Sequence, residues 1–247
     1  RSPSRGLGDV YKRQEYFNYD EELKHRIYSI MSLPWGCMRL RSLAIELSKL
    51  ETSSEKNIEL EQYQTDGDLA ARWICDIMAF EDIFDGCRVA DLGSGNGILG
   101  IGAVLVGAGS SILLEIDEGL CDVCRKNIQS LGLGDRVEVS QTSIGIDKIN
   151  FQEFDLVISN PPWGRQTSRA DRPFLEAIIS LGAKAHLMHS SEASHVEKFF
   201  HDSGWGAQRY GESDFPLPAS YGHHSRIRGR TRACLLYTSD AADDSLR

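Results

Sequence analysis

A glycine-rich turn between an apolar strand and an apolar helix is the sequence feature that most constrains the fold. The stretch Arg88–Leu92 reads as a short strand, and Gly93, Gly95 and Gly97 follow it at alternate positions. Small and apolar residues from Ile101 to Val106 then favour a helix. Glycines at this spacing let the backbone approach a ligand closely, and the helix N–H groups point towards it. The pattern therefore predicts a ligand site within an α/β sheet.

An acidic residue after the next strand narrows the choice of ligand. Glu115 ends the apolar run 112–114 and stands 24 residues after Asp91, where its carboxylate can accept from both ribose hydroxyls of an adenosine. A nicotinamide dinucleotide is an alternative ligand, and a surface acid is an alternative role for Glu115. The turn lacks the third glycine of the dinucleotide fingerprint, and Asp91 opens a DLGSGNG run. We therefore expect S-adenosyl-L-methionine (AdoMet).

A second turn, Asn160-Pro161-Pro162-Trp163-Gly164, follows the predicted buried strand 155–159. The prolines end the strand, so the turn lies at the carboxyl edge, where open α/β sheets bind ligands. The Asn160 side-chain oxygen and the Pro161 carbonyl can accept the hydrogens of a ring amine, which leaves its lone pair facing a methyl donor while Trp163 stacks on the ring. The turn resembles the catalytic motif of AdoMet-dependent amino-group methyltransferases. The alternative is a surface turn with a buried tryptophan.

Strand and helix patterns alternate along the chain. We predict seven strands, near residues 88–92, 112–115, 136–140, 155–159, 185–189, 207–211 and 228–236. We predict helices near residues 39–50, 68–80, 101–106, 117–131, 172–181 and 194–203, with Arg125, Lys126 and Asn127 facing outward. The alternation predicts an α/β fold with a doubly wound, mostly parallel sheet and one late antiparallel strand.

The net charge and the positions of the arginines bear on whether the protein binds nucleic acid. A net charge of −9 counts against a protein that coats nucleic acid nonspecifically. Two groups of arginines suit local contacts with RNA and equally suit a solvated surface. They are Arg165, Arg169 and Arg172, and Arg226, Arg228, Arg230 and Arg232.

The cysteines and the absence of long apolar runs bear on the compartment. Six scattered cysteines indicate reduced thiols and a cytoplasmic protein. Cys121 and Cys124 have no second Cys or His pair at ligand spacing and fall in a predicted helix, so we expect no metal site. No apolar run approaches the roughly 18 residues of a membrane span, and we expect no contact with a membrane.

Four stretches together resemble the methyltransferase-like protein 5 family, the small-subunit ribosomal RNA adenine-N6 methyltransferases of eukaryotes and their archaeal relatives. They are residues 60–65 (LEQYQT), 91–99 (DLGSGNGIL), 160–164 (NPPWG) and 217–221 (LPASY) with His223. The resemblance spans about residues 38–232. It implies a seven-stranded, Rossmann-like class I methyltransferase sheet with an N-terminal helical extension, AdoMet as the cofactor, and methyl transfer to adenine N6 in RNA.

The resemblance also implies roles for individual residues. Gln62 and Thr65 are expected to approach AdoMet from the N-terminal side, and Glu115 to take the place of the family's ribose-binding acid. Gln64 stands where the family usually has proline, and Trp163 where phenylalanine is usual. The methionine and ribose portion of AdoMet is expected to lie along Gly93, Asn96 and Ile98, and Asp91, Gly95 and Gly97 are expected to belong to the same cofactor site. The catalytic residues are expected to be Asn160, Pro161, Pro162 and Trp163.

The loop after the third strand is expected to lie against the adenine ring of AdoMet. It contains Ser143 and Ile144. Many AdoMet enzymes carry aspartate at the position that we match to Ser143, and a serine hydroxyl accepts a hydrogen bond from the adenine amino group more weakly.

The chain ends and domain boundaries follow from these patterns. Residues 1–14 (RSPSRGLGDVYKRQ) and 234–247 (CLLYTSDAADDSLR) resemble translated sequencing-adapter sequence and are expected to be foreign. Between them we expect a mostly helical N-terminal extension over residues 15–59 and an AdoMet-dependent methyltransferase domain over residues 60–233.

The resemblance also implies two partners, an activator subunit and an RNA substrate, and other functions remain as alternatives. The family works with a small zinc-binding activator subunit that pairs with the sheet edge. The substrate adenine is expected to be unpaired or extruded, because a base inside a duplex cannot reach the turn. The rivals are a protein glutamine or DNA adenine methyltransferase and a non-catalytic AdoMet-binding partner in an RNA–protein complex. Near strand ends, His189, His223 and His224 are expected to be structural or phosphate-contacting, because this chemistry needs little base catalysis.

Overall fold

The computed structural model describes residues 40–53, 65–149, 153–164, 167–218 and 228–240. Its helices are α1 (Leu40–Ser48), α2 (Gly67–Ala79), α3 (Ile98–Val106), α4 (Glu118–Ser130), α5 (Arg172–Leu181) and α6 (Ser194–Asp202). Its strands are β1 (Arg88–Leu92), β2 (Ser110–Glu115), β3 (Val137–Gln141), β4 (Leu156–Ser159), β5 (Lys184–Ser190), β6 (Trp205–Pro218) and β7 (Arg228–Asp240).

All seven strands form one sheet in the order β3-β2-β1-β4-β5-β7-β6. The strands β1 to β5 pair in parallel, and β7 runs antiparallel to both β5 and β6. The strand order reverses at β1 and β4, so a crevice opens at the carboxyl ends of these two strands. The predicted mostly parallel sheet with one late antiparallel strand is confirmed.

The side chains of each central strand alternate between two apolar layers. Val89 packs with α1, α2 and α3 on one face, whereas Ala90 packs with α5 and α6 on the other. In α1, Leu43, Ala44 and Leu47 are buried, which confirms the amphipathic helix that the pattern predicts. No helix of the described residues combines the length and the apolarity that crossing a bilayer requires.

One side chain and two strand lengths depart from the sequence-based expectation, and β6 is longer than the predicted 207–211. The prediction that Asn127 faces outward is wrong, because its side chain is buried between α4 and the glycine turn. The last strand continues to Asp240 and thus crosses the boundary predicted at residue 233, with Cys234, Leu235 and Leu236 buried. The foreign origin of residues 234–247 stays a prediction, as does that of residues 1–14, which lie outside the described residues.

A buried polar network ties the helical layer to the sheet beneath the site. The Trp73 indole N–H donates to the Tyr210 hydroxyl over 2.8 Å, and that hydroxyl lies 3.0 Å from His186 Nδ1. His186 Nε2 lies 3.0 Å from Asp82 Oδ2, while Lys184 binds Asp82 Oδ1 over 2.9 Å. Burial lowers the pKa of His186, so the ring is neutral and donates through Nε2.

We expect Tyr210→Phe to lower the free energy of unfolding by about 1–3 kcal/mol, because the Trp73 N–H loses its acceptor and His186 Nδ1 loses its donor inside the core. Urea denaturation of parent and variant measures the difference. A change below about 0.5 kcal/mol would show that the network adds little to stability.

Candidate functional site

The two sequence motifs meet because β1 and β4 are neighbours in the sheet. Leu92 pairs with Ser159 at the carboxyl ends of these strands, so Gly93 and Asn160 are the next residues of the two turns. The Ser159 hydroxyl donates to the Leu92 carbonyl over 2.8 Å and ties the strands together at this point. The glycine turn and the Asn-Pro-Pro-Trp turn therefore open into the same crevice.

The glycine turn adopts backbone conformations that glycine tolerates best. Gly93, Gly95 and Gly97 have φ values of 68°, 58° and 83°. The N–H groups of Gly93 and Ser94 donate to the Leu114 carbonyl over 2.9 and 3.0 Å, which anchors the turn to β2. A Cβ at Gly97 would lie 2.7 Å from a Leu113 methyl carbon, whereas one at Gly95 would meet open space. The turn is thus packed against β2 at Gly97 and open at Gly95.

The Glu115 carboxylate lies at the end of β2, where the sequence predicts it. Its Oε2 accepts from the Gly95 N–H over 2.8 Å, and its Oε1 accepts from the Ile116 and Asp117 N–H groups over 2.9 and 3.1 Å. Burial raises the pKa of Glu115 in spite of these three bonds. The fixed carboxylate keeps acceptor capacity on Oε2 for a ligand hydroxyl.

Asp91 is wholly buried beneath the glycine turn. Its Oδ2 accepts from the Gly100 N–H of α3 over 2.8 Å, whereas Oδ1 has no hydrogen-bond partner. Burial, assisted by the nearby Glu115 carboxylate, raises the pKa of Asp91 to about 7. The contact that the structure gives Asp91 is to the helix that follows the turn, so its role as a cofactor contact stays a prediction.

Asn96 and Asn127 hold the segment after α1 against the glycine turn. Asn96 Nδ2 donates to the Glu51 carbonyl over 3.2 Å. Asn127 Nδ2 donates to the same carbonyl and to the Asn96 carbonyl over 3.1 and 3.0 Å, while its Oδ1 accepts from the Glu51 N–H over 2.8 Å. The Asn96 side chain is thus engaged with the protein. Its predicted contact with AdoMet stays a prediction, and so does that of Ile98, which is buried at the start of α3.

The loop after β3 lies at the same edge of the sheet. The Ser143 N–H donates to the exposed Asp147 carboxylate over 2.7 Å, and Ile144 packs against the layer of α5 and α6. Ile116, which follows Glu115, is 45% exposed and offers an apolar surface nearby.

Both ends of the Asn160 amide are held by neighbouring side chains. Its Nδ2 donates to the Thr65 hydroxyl over 3.2 Å, and its Oδ1 accepts from the Trp163 indole N–H over 3.1 Å. Because an indole N–H can only donate, the atom that faces it must be the amide oxygen. Thr65, which the resemblance places near AdoMet, thus lies beside the Asn-Pro-Pro-Trp turn.

Trp163 is packed inside the protein. Its side chain is 7% exposed and lies between His189, whose ring stacks on the indole at 6.1 Å, and Phe215, whose ring is tilted at 4.9 Å. Pro161 is buried and Pro162 half-buried. The buried tryptophan of the alternative interpretation is therefore seen, but within the crevice turn rather than in a surface turn.

A cluster of one carboxylate and two histidines lies behind the turn. Asp171 Oδ2 is 3.2 Å from His189 Nε2 and 2.6 Å from His195 Nε2. Burial raises the pKa of Asp171, but hydrogen bonds from His189 and His195 outweigh it and lower the pKa to about 2. Asp171 and His189 are buried, and the His195 side chain is 58% exposed.

Sequence patterns identified the two turns and Glu115 but missed the partners that hold them. Asn127, Asp171, His195 and Phe215 lie on elements distant in the chain, and no local spacing marks them. Several predicted residues lie outside the described part of the structure. They are Gln62, Gln64, Arg165, Arg226, His223 and His224.

Solved structures share this architecture. A proposed RNA methyltransferase from Pyrococcus horikoshii superposes with a TM-score of 0.73 at 30% identity, over 82% of this chain and 98% of that chain. The strand order, the glycine turn after β1 and the acid at the end of β2 together define a class I methyltransferase.

Sequence comparison identifies the family. The rRNA N(6)-adenosine-methyltransferase METTL5 of Danio rerio is 34% identical over 197 residues, which cover 76% of this chain and 93% of that protein. The chain therefore belongs to the methyltransferase-like protein 5 family. An uncharacterized protein of Methanocaldococcus jannaschii is 30% identical over 203 residues, covering 76% of this chain and 89% of that protein. The family model described as "Conserved hypothetical protein 95" matches residues 73–215.

We expect the buried Asp91 carboxyl to make stability fall as the pH rises. Its pKa lies near 7 in the folded protein, against 3.8 for a free aspartate side chain, so its stabilising contribution is complete below pH 3.8 and is lost as the pH rises through 7. Between these values its share of the slope is about −1.4 kcal/mol per pH unit. Urea denaturation at pH 5, 6, 7 and 8 should give Asp91→Asn a flatter profile than the parent.

The exposed Asp135 provides a matched control. Asp135→Asn should follow the parent's pH profile. Equal slopes for the parent and Asp91→Asn would contradict a raised pKa at Asp91.

Proposed function

We propose that this protein transfers a methyl group from AdoMet to the N6 amino group of an adenine in small-subunit ribosomal RNA. The observation that carries the proposal is the position of the Asn160 amide, one residue beyond the pairing that joins β4 to β1 and its glycine turn. The activity for which the Danio rerio relative is named supports the substrate class. Thiols at the buried Cys87, Cys121, Cys124 and Cys234 support a reducing compartment such as the cytoplasm.

Asn160 can act by orienting the amine. Its Oδ1 has two lone pairs, of which the Trp163 N–H uses one, so the other can accept from an adenine N6–H. The Pro161 carbonyl can accept the second N6 hydrogen, which turns the nitrogen lone pair out of conjugation and away from both acceptors. Well-oriented reactants recover roughly 7–11 kcal/mol of barrier, so positioning can supply most of the rate.

The polar and apolar groups that line the crevice match the chemical groups of AdoMet. The turn is open above Gly95, and the Glu115 carboxylate, fixed by three backbone N–H groups, has acceptor capacity for the ribose. Ile116 and Ile144 offer apolar surface for an adenine ring, with Ser143 beside them. When bound, AdoMet supplies a methyl group that its sulfonium makes electrophilic, so no metal ligand is needed for the transfer.

Base stacking on Trp163 belongs to the same proposal. Trp163 is 7% exposed, so stacking of an adenine on its face requires the turn to open on binding. Stacking of a base on an aromatic side chain contributes about 1–3 kcal/mol. An unpaired or extruded adenine fits this turn, since a base within a duplex is not accessible.

We expect Asn160→Ala to reduce methyl transfer about a hundredfold or more, because the N6 amine loses its oriented acceptor. Asn160→Asp is the matched variant: it retains an oxygen opposite the Trp163 N–H, and the Thr65 hydroxyl can donate to the other oxygen, so measurable activity should remain. The assay measures transfer from labelled AdoMet to small-subunit ribosomal RNA, genomic DNA and a glutamine-containing release factor.

Calorimetry of AdoMet binding separates chemistry from binding. Asn160→Ala and Trp163→Ala should bind AdoMet nearly as tightly as the parent, because the cofactor contacts lie on the glycine turn and Glu115. Loss of AdoMet binding in both variants would contradict this division of roles. Transfer to DNA or to protein alone would identify a rival substrate. If the parent transfers to no substrate even with a candidate activator subunit present, the binding-partner hypothesis remains.

We further propose that β3 receives the zinc-binding activator subunit expected from the resemblance. Within the described residues, β3 pairs only with β2 and forms an edge of the sheet. The Arg136 carbonyl and the Thr142 N–H face β2, so alternation along the strand directs the Val139 N–H away from the sheet. An exposed strand edge is a ready template for pairing with another chain.

We expect Val139→Pro to weaken binding of such a subunit at least tenfold, because it removes an outward N–H, whereas Val139→Ala should retain binding. Co-expression with a candidate zinc-binding activator, followed by size-exclusion chromatography, measures complex formation. Equal complex formation by the two folded variants would place the partner elsewhere.

A further inference from the structure

His189 lies behind the Asn-Pro-Pro-Trp turn without belonging to it. Ser159 pairs with Leu187, and β5 continues beyond that pair, so His189 reaches the level of the turn. The imidazole is fully buried and stacks on the Trp163 indole, with ring centroids 6.1 Å apart and an interplanar angle of 21°. Phe215 packs on the indole at 4.9 Å, so two side chains hold Trp163 in place.

The hydrogen bonds of His189 determine its tautomer. The Ser190 backbone N–H donates to Nδ1 over 2.9 Å, so Nδ1 carries a lone pair and the ring hydrogen is on Nε2. The Nε2–H then donates to Asp171 Oδ2 over 3.2 Å. Because both ring nitrogens have partners, the imidazole plane cannot rotate without breaking one of two buried bonds.

The same tautomer argues against a metal at this cluster. One ligand atom each from Asp171, His189 and His195 lie within 4.8 Å of one another, which suits a metal site by distance alone. A metal would require the lone pair of His189 on Nε2 and would move the hydrogen to Nδ1. Two N–H groups would then face each other at the 2.9 Å contact with Ser190. The cluster is therefore built for hydrogen bonding.

We propose that His189, oriented by Asp171, is a positioning residue for the catalytic turn, an inference that rests on the proposed function. Asp171 fixes the imidazole, the imidazole fixes the indole, and the indole N–H fixes the oxygen of the Asn160 amide. His189 is fully buried and acts through Trp163. Its effect is on the direction in which Asn160 presents its second lone pair.

His195 has a secondary part in this arrangement. Its Nε2 lies 2.6 Å from the same Asp171 oxygen, on the solvent side. Removal of His195 leaves in place the bond that His189 Nε2–H donates to Asp171 and the bond that the Ser190 N–H donates to His189 Nδ1. The effect of His195→Ala on the turn should therefore be smaller than that of His189→Ala.

Two measurements on the full chain test the proposal. Single-turnover kinetics with small-subunit ribosomal RNA should show at least a tenfold slower transfer in His189→Ala, with the Kd for AdoMet within twofold of the parent. The Trp163 indole cross-peak in a ¹H–¹⁵N spectrum, assigned by its loss in Trp163→Phe, should shift or broaden in His189→Ala. His201→Ala, which changes an exposed histidine of α6, should leave the rate and the cross-peak unchanged.

Asp171→Ala provides a second route if His189→Ala does not fold. It removes the acceptor of the Nε2–H and leaves the imidazole in place, so it should move the same cross-peak and slow transfer less than His189→Ala. An unchanged rate and cross-peak in either folded variant would overturn the proposal. If the parent shows no transfer activity but the cross-peak still moves in His189→Ala relative to the parent, the contact between His189 and Trp163 is supported and the proposed function is contradicted.

Zinc binding is a separate outcome of the same set of variants. Equilibrium dialysis of the parent against Zn²⁺ should show no stoichiometric uptake that depends on His195. Uptake of one ion that His195→Ala abolishes would overturn the tautomer argument and identify a metal site.

Discussion

Parallel pairing of β1 with β4 is the interaction on which the site depends. The pairing ends at Leu92 and Ser159, and the Ser159 hydroxyl closes it with a bond to the Leu92 carbonyl. Because the strand order reverses here, the chain leaves the two strand ends in opposite directions and a crevice opens above them. The glycine turn and the Asn-Pro-Pro-Trp turn are thus brought together by the pairing register of β1 and β4. The rest of the sheet keeps that register fixed, since each central strand is buried on both faces.

Trp163 gives this chain a feature that phenylalanine cannot provide at the same position. An indole N–H holds the Asn160 oxygen, while Thr65 receives the amide N–H, so the amide cannot flip without breaking two bonds. The larger ring is in turn held by His189 and Phe215. The orientation of the Asn160 side-chain oxygen therefore depends on β5, β6 and the segment before α2. Such a buried, connected network costs little only when every member has a partner.

Local chemistry explains why the sequence predicted some of these residues and not others. Gly93, Gly95 and Gly97 predict a turn from the local sequence alone, and Pro161 and Pro162 likewise predict the end of a strand. Asn127 reads as a surface residue because only the tertiary fold brings Glu51 and Asn96 to it. Asp171 precedes a helix and looks like an ordinary cap, yet its side chain binds two histidines from β5 and α6.

Two acidic side chains are buried beneath the crevice edge of the sheet. Asp91 keeps an unpartnered oxygen under the glycine turn, and burial raises the pKa of both Asp91 and Glu115. An unpaired buried oxygen costs about 1–3 kcal/mol. The apolar layers on both faces of the sheet supply the stability that tolerates this burial.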